Sequence, residues 1–223
     1  MTTRPVMITV DETHRVSGLL QAARGARACY LLAHGAGSGM THPFMAGIAD
    51  GLAERGVATL RYQFPYMEQG GKRPDPPKLA QATVRAAVAE AFSLAPKLPL
   101  VAGGKSFGGR MTSQAQAESP LPGVRGLAFL GFPMHAAGRP SEERAAHLFE
   151  VKIPMLFLQG TRDALADLEL LEPIVAGLGP RATLRRIEHA DHGFHVLKRS
   201  GRNDGEVLEE LAVTLSRWVE SLA

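Results

Sequence analysis

Short apolar runs alternate with longer amphipathic ones along this chain. The runs at 29–33, 57–61, 99–103, 124–130, 154–159 and 182–187 are brief and rich in Leu, Val, Ile or Phe, as strands buried on both faces are. Two further strands are expected at 5–10 and about 15–20, with a turn at 11–14 between them. Helical periodicity falls over roughly 43–55, 78–95, 107–118, 164–178 and 205–221. This order predicts an α/β fold with a mostly parallel central sheet of about seven or eight strands, flanked by helices on both faces.

Local punctuation agrees with those limits. Pro43 suits the first turn of its helix, where a missing N–H costs nothing, and Gly56 suits the left-handed residue after the same helix. Pro74, Pro76 and Pro77 close a loop ahead of the next helix. The segment 132–152 holds Pro133, Pro140 and one short helix near 142–149, too little chain for a separate cap domain. One domain spanning 1–223 is therefore expected.

Composition narrows the function classes. The 223 residues are 45% hydrophobic and 21% charged, the profile of a globular protein with an aliphatic core. A net charge of +3 without any dense Lys/Arg run argues against a nucleic-acid partner. One cysteine, Cys29, leaves no disulfide to form within the chain. No stretch has the apolar length of a signal peptide or of a bilayer span of ~20 residues, so a cytoplasmic protein without a membrane partner is expected. The oligomeric state is left open.

The sharpest chemical signal is Gly104-Lys105-Ser106-Phe107-Gly108-Gly109, after an apolar run and before a helical one. A Gly-x-Ser-x-Gly at a strand-to-helix turn is the nucleophile elbow, in which flanking glycines clear space around a strained, projecting serine. A phosphate-binding loop would need a glycine five residues before Gly104, where Pro99 stands. The segment His34-Gly35-Ala36-Gly37-Ser38 follows an earlier strand and predicts half of an oxyanion hole. Phe107 and Ala36 are the expected backbone N–H donors, with Gly37 the substitute for Ala36 and His34 a brace for the loop. A dinucleotide loop is the competing reading of 35–40, but its sixth position is Met40 rather than Gly or Ala.

Two further signals lie downstream. Asp163 ends the turn Gln159-Gly160-Thr161-Arg162-Asp163, placed to orient a histidine; a helix N-cap is the alternative role, and Asp167 is expected inside the following helix. His192 is the expected general base, within His189-Ala190-Asp191-His192-Gly193-Phe194-His195, with Asp191 shaping the loop. A metal site there would need the three histidines on one face of a regular helix, which Gly193 opposes, so no metal and no cofactor are expected. The order Ser106, Asp163, His192, each just after an expected strand, is the order of an α/β-hydrolase triad.

On these stretches the chain resembles the KANL/testis-expressed branch of predicted α/β-hydrolases, and distantly the dienelactone hydrolases. The matching residues also include Arg61-Tyr62-Gln63-Phe64-Pro65-Tyr66-Met67 and Gly131-Phe132-Pro133-Met134-His135. The resemblance implies the α/β-hydrolase fold and a Ser106–Asp163–His192 triad, but no substrate. Dienelactone hydrolases carry a cysteine nucleophile where this chain has serine, so their substrate does not carry over.

The expected function is a serine hydrolase acting on a small ester-like acyl substrate, with Gly37, Met134, His135 and Phe64 lining the site. The alternative is a binding or scaffold module on the same fold with little or no turnover. Lys105, Arg110, Arg162 and Lys198 stand near the expected mouth in sequence, either to attract an anion or as solvated surface charge.

Overall fold

The computed structural model describes residues 2–222. Its single sheet has eight strands in the order β1-β2-β4-β3-β5-β6-β7-β8: β1 Thr2–Thr9, β2 Arg15–Ala22, β3 Ala28–Ala33, β4 Val57–Tyr62, β5 Leu100–Lys105, β6 Val124–Leu130, β7 Met155–Gly160 and β8 Ala182–Ile187. The pairings of β1 with β2 and of β2 with β4 are antiparallel; the rest are parallel.

The helices are α1 Pro43–Glu54, α2 Pro65–Glu68, α3 Pro77–Leu94, α4 Phe107–Glu118, α5 Leu168–Leu178 and α6 Asp204–Glu220. Strand alternation assigns them to faces, because successive side chains point to opposite sides. Tyr30, Leu32, Val101, Ala128, Leu130, Leu156 and Leu158 pack with Met45, Ile48 and Leu52 of α1 and Val207, Leu211 and Leu215 of α6. Leu31, Leu100, Ala102, Phe129 and Phe157 pack on the other face with Val84 and Val88 of α3, Met111 of α4 and Leu171 of α5. Where α1 crosses α6, a Cβ on Gly51 would come within 2.8 Å of the Ala212 Cβ, so the missing side chain sets the separation of the two helices.

The central strands β3, β4, β5 and β7 are buried along their whole length, as expected, and β6 is buried except at Arg125. Two expectations change. The strand at 182–187 is an edge strand with Arg185 and Arg186 exposed, so it is not buried along its length as the central strands are. The helix expected from 164 begins at Leu168, with Asp167 as its N-cap accepting from the Glu169 N–H at 2.9 Å. Asp167 is thus outside the helix, and the capping role weighed for Asp163 falls to it. The short helix near 142–149 is a 3₁₀ segment, Glu143–Glu150, and no separate cap domain covers the sheet. Among the described residues no helix is long and apolar enough to cross a membrane.

Candidate active site

Chain direction places the carboxyl ends of β3, β5, β6, β7 and β8 along one edge, where α/β sheets gather ligands. Lys105 is the last residue of β5 and Phe107 the first of α4, so the whole turn is Ser106. Its φ of 49° and ψ of −115° lie outside the regions comfortable for a side chain. Ser106, His189 and Phe194 are the non-glycine residues with left-handed φ among those described. Strain is therefore concentrated at this edge.

Steric need accounts for the elbow glycines. A Cβ on Gly104 would lie 2.2 Å from the carbonyl oxygen of Ala33, and one on Gly108 would lie 2.6 Å from that of His34. Both positions face β3 and its outgoing loop, so β5 and α4 close on β3 only because side chains are missing.

Three residues far apart in sequence meet here. Nε2 of His192 is 2.8 Å from Oγ of Ser106, and its Nδ1 is 2.7 Å from Oδ2 of Asp163. Asp163 is buried, while the His192 side chain is a quarter exposed. The carboxylate is held from two more directions: Nε2 of Gln159 donates to Oδ2 at 2.5 Å, and the Leu165 N–H donates to Oδ1 at 2.7 Å. Oε1 of Gln159 in turn accepts from the Phe132 N–H at 2.9 Å. Gln159, at the end of β7, is a residue sequence reasoning passed over; its buried polar character in an otherwise apolar strand was the available signal.

The loop after β3 is built against the end of β4. His34 is fully buried, and its Nε2 accepts from the Phe64 N–H at 3.1 Å. The proton therefore sits on Nδ1, which donates to the Gly35 carbonyl at 2.7 Å. Burial pushes the imidazole pKa down to about 4, so it is neutral at pH 7. The Gly37 N–H donates to the Tyr66 hydroxyl at 3.0 Å, the Met40 N–H to Oε1 of Gln63 at 3.0 Å, and Arg61 reaches the Met40 carbonyl at 3.3 Å. Ala36 is exposed and, among the described residues, its N–H carries no such partner. The Phe107 N–H heads α4, where helices leave such groups free. The Gly37 N–H is taken by Tyr66, which leaves Ala36 the freer of the two loop amides.

Three residues expected along a substrate wall lie elsewhere. Phe64 and Met134 are fully buried in the core; Phe64 packs edge-on against Phe107 at 5.2 Å. His135 is buried too, with Nε2 accepting from the Asp167 N–H at 3.0 Å and Nδ1 donating to the Ala136 carbonyl at 2.9 Å. It braces the turn that carries Asp163 instead of facing solvent. Apolar bulk placed behind a loop supports that loop, and sequence proximity does not separate this from lining. Gly37 alone of that group is exposed, with open space where a side chain would be.

The histidines of the last loop diverge. His195 pairs with Asp204 at 2.7 Å, away from His192. Asp191 accepts from the Gly193 and His195 N–H groups and shapes the loop. Arg162 is exposed and reaches the His189 carbonyl at 3.3 Å, whereas Lys105 is buried. A cavity of about 610 Å³ lies beside the His192 loop on the α1/α6 side, lined among others by Ser38, Phe44, Lys105, Gly193, Phe194 and Leu208.

Known proteins share this fold along the chain. The chain is similar to a lidless α/β serine hydrolase of Xanthomonas campestris, at 19% identity over 97% of this chain and 94% of that one, with a TM-score of 0.75. It is similar to a dienelactone hydrolase of Anabaena variabilis, at 23% identity over 99% and 97%, with a TM-score of 0.77. An esterase domain of a Rhodothermus marinus protein shares 16% identity over the whole of both chains, with a TM-score of 0.76. At such identities these likenesses speak to the fold. The family of α/β hydrolase domains matches residues 26–220, nearly the whole chain, and the protein belongs to that family.

Proposed function

We propose that this chain works as a single domain, a serine hydrolase of small ester-like acyl substrates, with Ser106, Asp163 and His192 as its triad. The observation that carries the proposal is the bridge made by His192, bonded at 2.8 Å to a strained serine and at 2.7 Å to a buried aspartate. His192 takes the proton from Ser106 as Oγ attacks the carbonyl carbon. Asp163 holds the ring so that Nε2 faces the serine and stabilises the imidazolium that forms. The N–H groups of Ala36 and Phe107 receive the negative charge on the carbonyl oxygen. His192 then gives its proton to the leaving alcohol, and water repeats the sequence on the acyl-enzyme.

With no cap over the edge, a compact acyl group suits the site better than a long lipid. The motifs at 104–110 and 191–194 favour the KANL/testis-expressed branch within the family. A fluorophosphonate probe, followed by mass spectrometry of the adduct, tests the reading. One adduct on Ser106, lost in His192→Ala, supports it; folded protein that stays unlabelled overturns it in favour of a binding module.

A further inference from the structure

The side chain of Lys105 has no part in the chemistry above, yet it sits inside the machinery. Only 9% of the residue is exposed. Its Nζ donates to the backbone carbonyl of His192 at 2.6 Å and lies 5.4 Å from the Phe194 ring centre. A Cβ on Gly131 would approach Nζ to 3.2 Å, and one on Gly35 would approach Cγ to 3.4 Å. The ammonium thus joins the strand that ends at the nucleophile to the loop that carries the histidine, beneath the end of β6.

That loop needs holding. Its residues His189 and Phe194 have φ of 64° and 65°, and His192 is partly exposed, so burial alone does not fix the ring. Displacement of a catalytic group by about 1 Å costs on the order of 10²-fold in rate. A charged donor makes a hydrogen bond roughly twice as strong as a neutral one.

We infer that Lys105 is a positioning residue: its ammonium holds the His192 carbonyl, and through it the imidazole, where Nε2 meets Ser106. The inference rests on the serine-hydrolase reading. Charged groups facing the ammonium are Asp163 from the β7 turn and Asp191 from the post-β8 loop. Around the adjoining cavity stand His42 at the head of α1 and the His195–Asp204 pair at the head of α6. Burial lowers the lysine pKa to about 8, against the pull of the two aspartates. The ammonium is therefore present below that pH and lost above it.

The experiment is the rate of fluorophosphonate labelling of the full chain from pH 7 to 10. Wild-type labelling that Ser106→Ala abolishes establishes the serine-hydrolase reading on its own; no labelling removes both ideas. Lys105→Met keeps the volume but removes the donor, and its rate should fall about 10- to 100-fold at pH 7. Lys105→Arg can extend into the cavity beside it, and should recover most of the rate and keep it to pH 10. The wild-type rate should fall several-fold as pH rises through about 8. A Lys105→Met protein labelling at the wild-type rate would overturn the inference, as would a wild-type rate that stays level or rises to pH 10. If Lys105→Met does not fold, the wild-type and Lys105→Arg profiles decide the matter.

Discussion

The N–H of Phe64 donates to Nε2 of His34 at 3.1 Å, so the residue that opens the loop after β3 is locked, as one tautomer, by a residue just beyond the end of β4. Protonation of His34 breaks this bond. The folded-state pKa, about 4, lies below the unfolded value near 6.5, so the unfolded chain takes the proton more readily. Stability is then full above pH 6.5 and lost as pH falls toward 4, by on the order of 3 kcal/mol for a fully buried imidazole. His147, whose pKa burial and nearby Arg110 also lower to about 4, works in the same direction. Thermal melts from pH 7.5 to 4 should show this decline, and His34→Gln should flatten it; an unchanged slope would refute the assignment.

Ser106 bears a side chain on a left-handed backbone. Glycine accepts that conformation without a Cβ penalty, whereas alanine keeps the penalty. Ser106→Gly is expected to be more stable than Ser106→Ala by about 1 kcal/mol, some 2–4 °C in Tm. Both variants should lose up to ~10⁶ in kcat on a true substrate. Calorimetry of the pair reads the strain separately from the chemistry, and equal melting temperatures would mean that the turn relaxes.

Gly104→Ala tests the contact with β3. The new Cβ would sit 2.2 Å from the Ala33 carbonyl oxygen, and backbone on both sides leaves little room to move. A loss of about 2–4 kcal/mol is expected, readable as a drop in the urea midpoint. Gly37→Ala, where a Cβ meets nothing within 4 Å, should cost less, through its φ of 77° alone. Equal losses would count against the close approach.

Gln159→Glu places a second carboxylate against Oδ2 of Asp163. Like charges in a buried pair favour protonation of one member, which weakens the hold on His192. The expected result is a 10- to 100-fold fall in the labelling rate of Ser106 near neutral pH, with partial recovery in Gln159→Met. Asp163→Asn should do more, about 10⁴ in kcat, because the amide favours the wrong tautomer of His192. A Gln159→Glu rate equal to wild type would remove Gln159 from the site.

Much of this protein is determined by its sequence. Short continuous runs of Leu, Val, Ile and Phe fit strands covered on both faces, and the amphipathic stretches between them fit the covering helices; those rules are local. The turn at 104–108 was legible because a strained serine turn demands glycine at 104 and 108, and the proposed triad because its three members follow strand ends in one order. Tertiary structure decided what depends on distant partners. Phe64, Met134 and His135 lie close to the site in sequence, but packing turns them inward as supports. Gln159 meets its carboxylate four residues on, but the Phe132 N–H that fixes its amide comes from beyond β6, and the backbone carbonyl held by Lys105 comes from the last loop. A hydrogen bond between residues 87 positions apart leaves no trace in either neighbourhood, since its geometry exists only once β5 and the last loop have met.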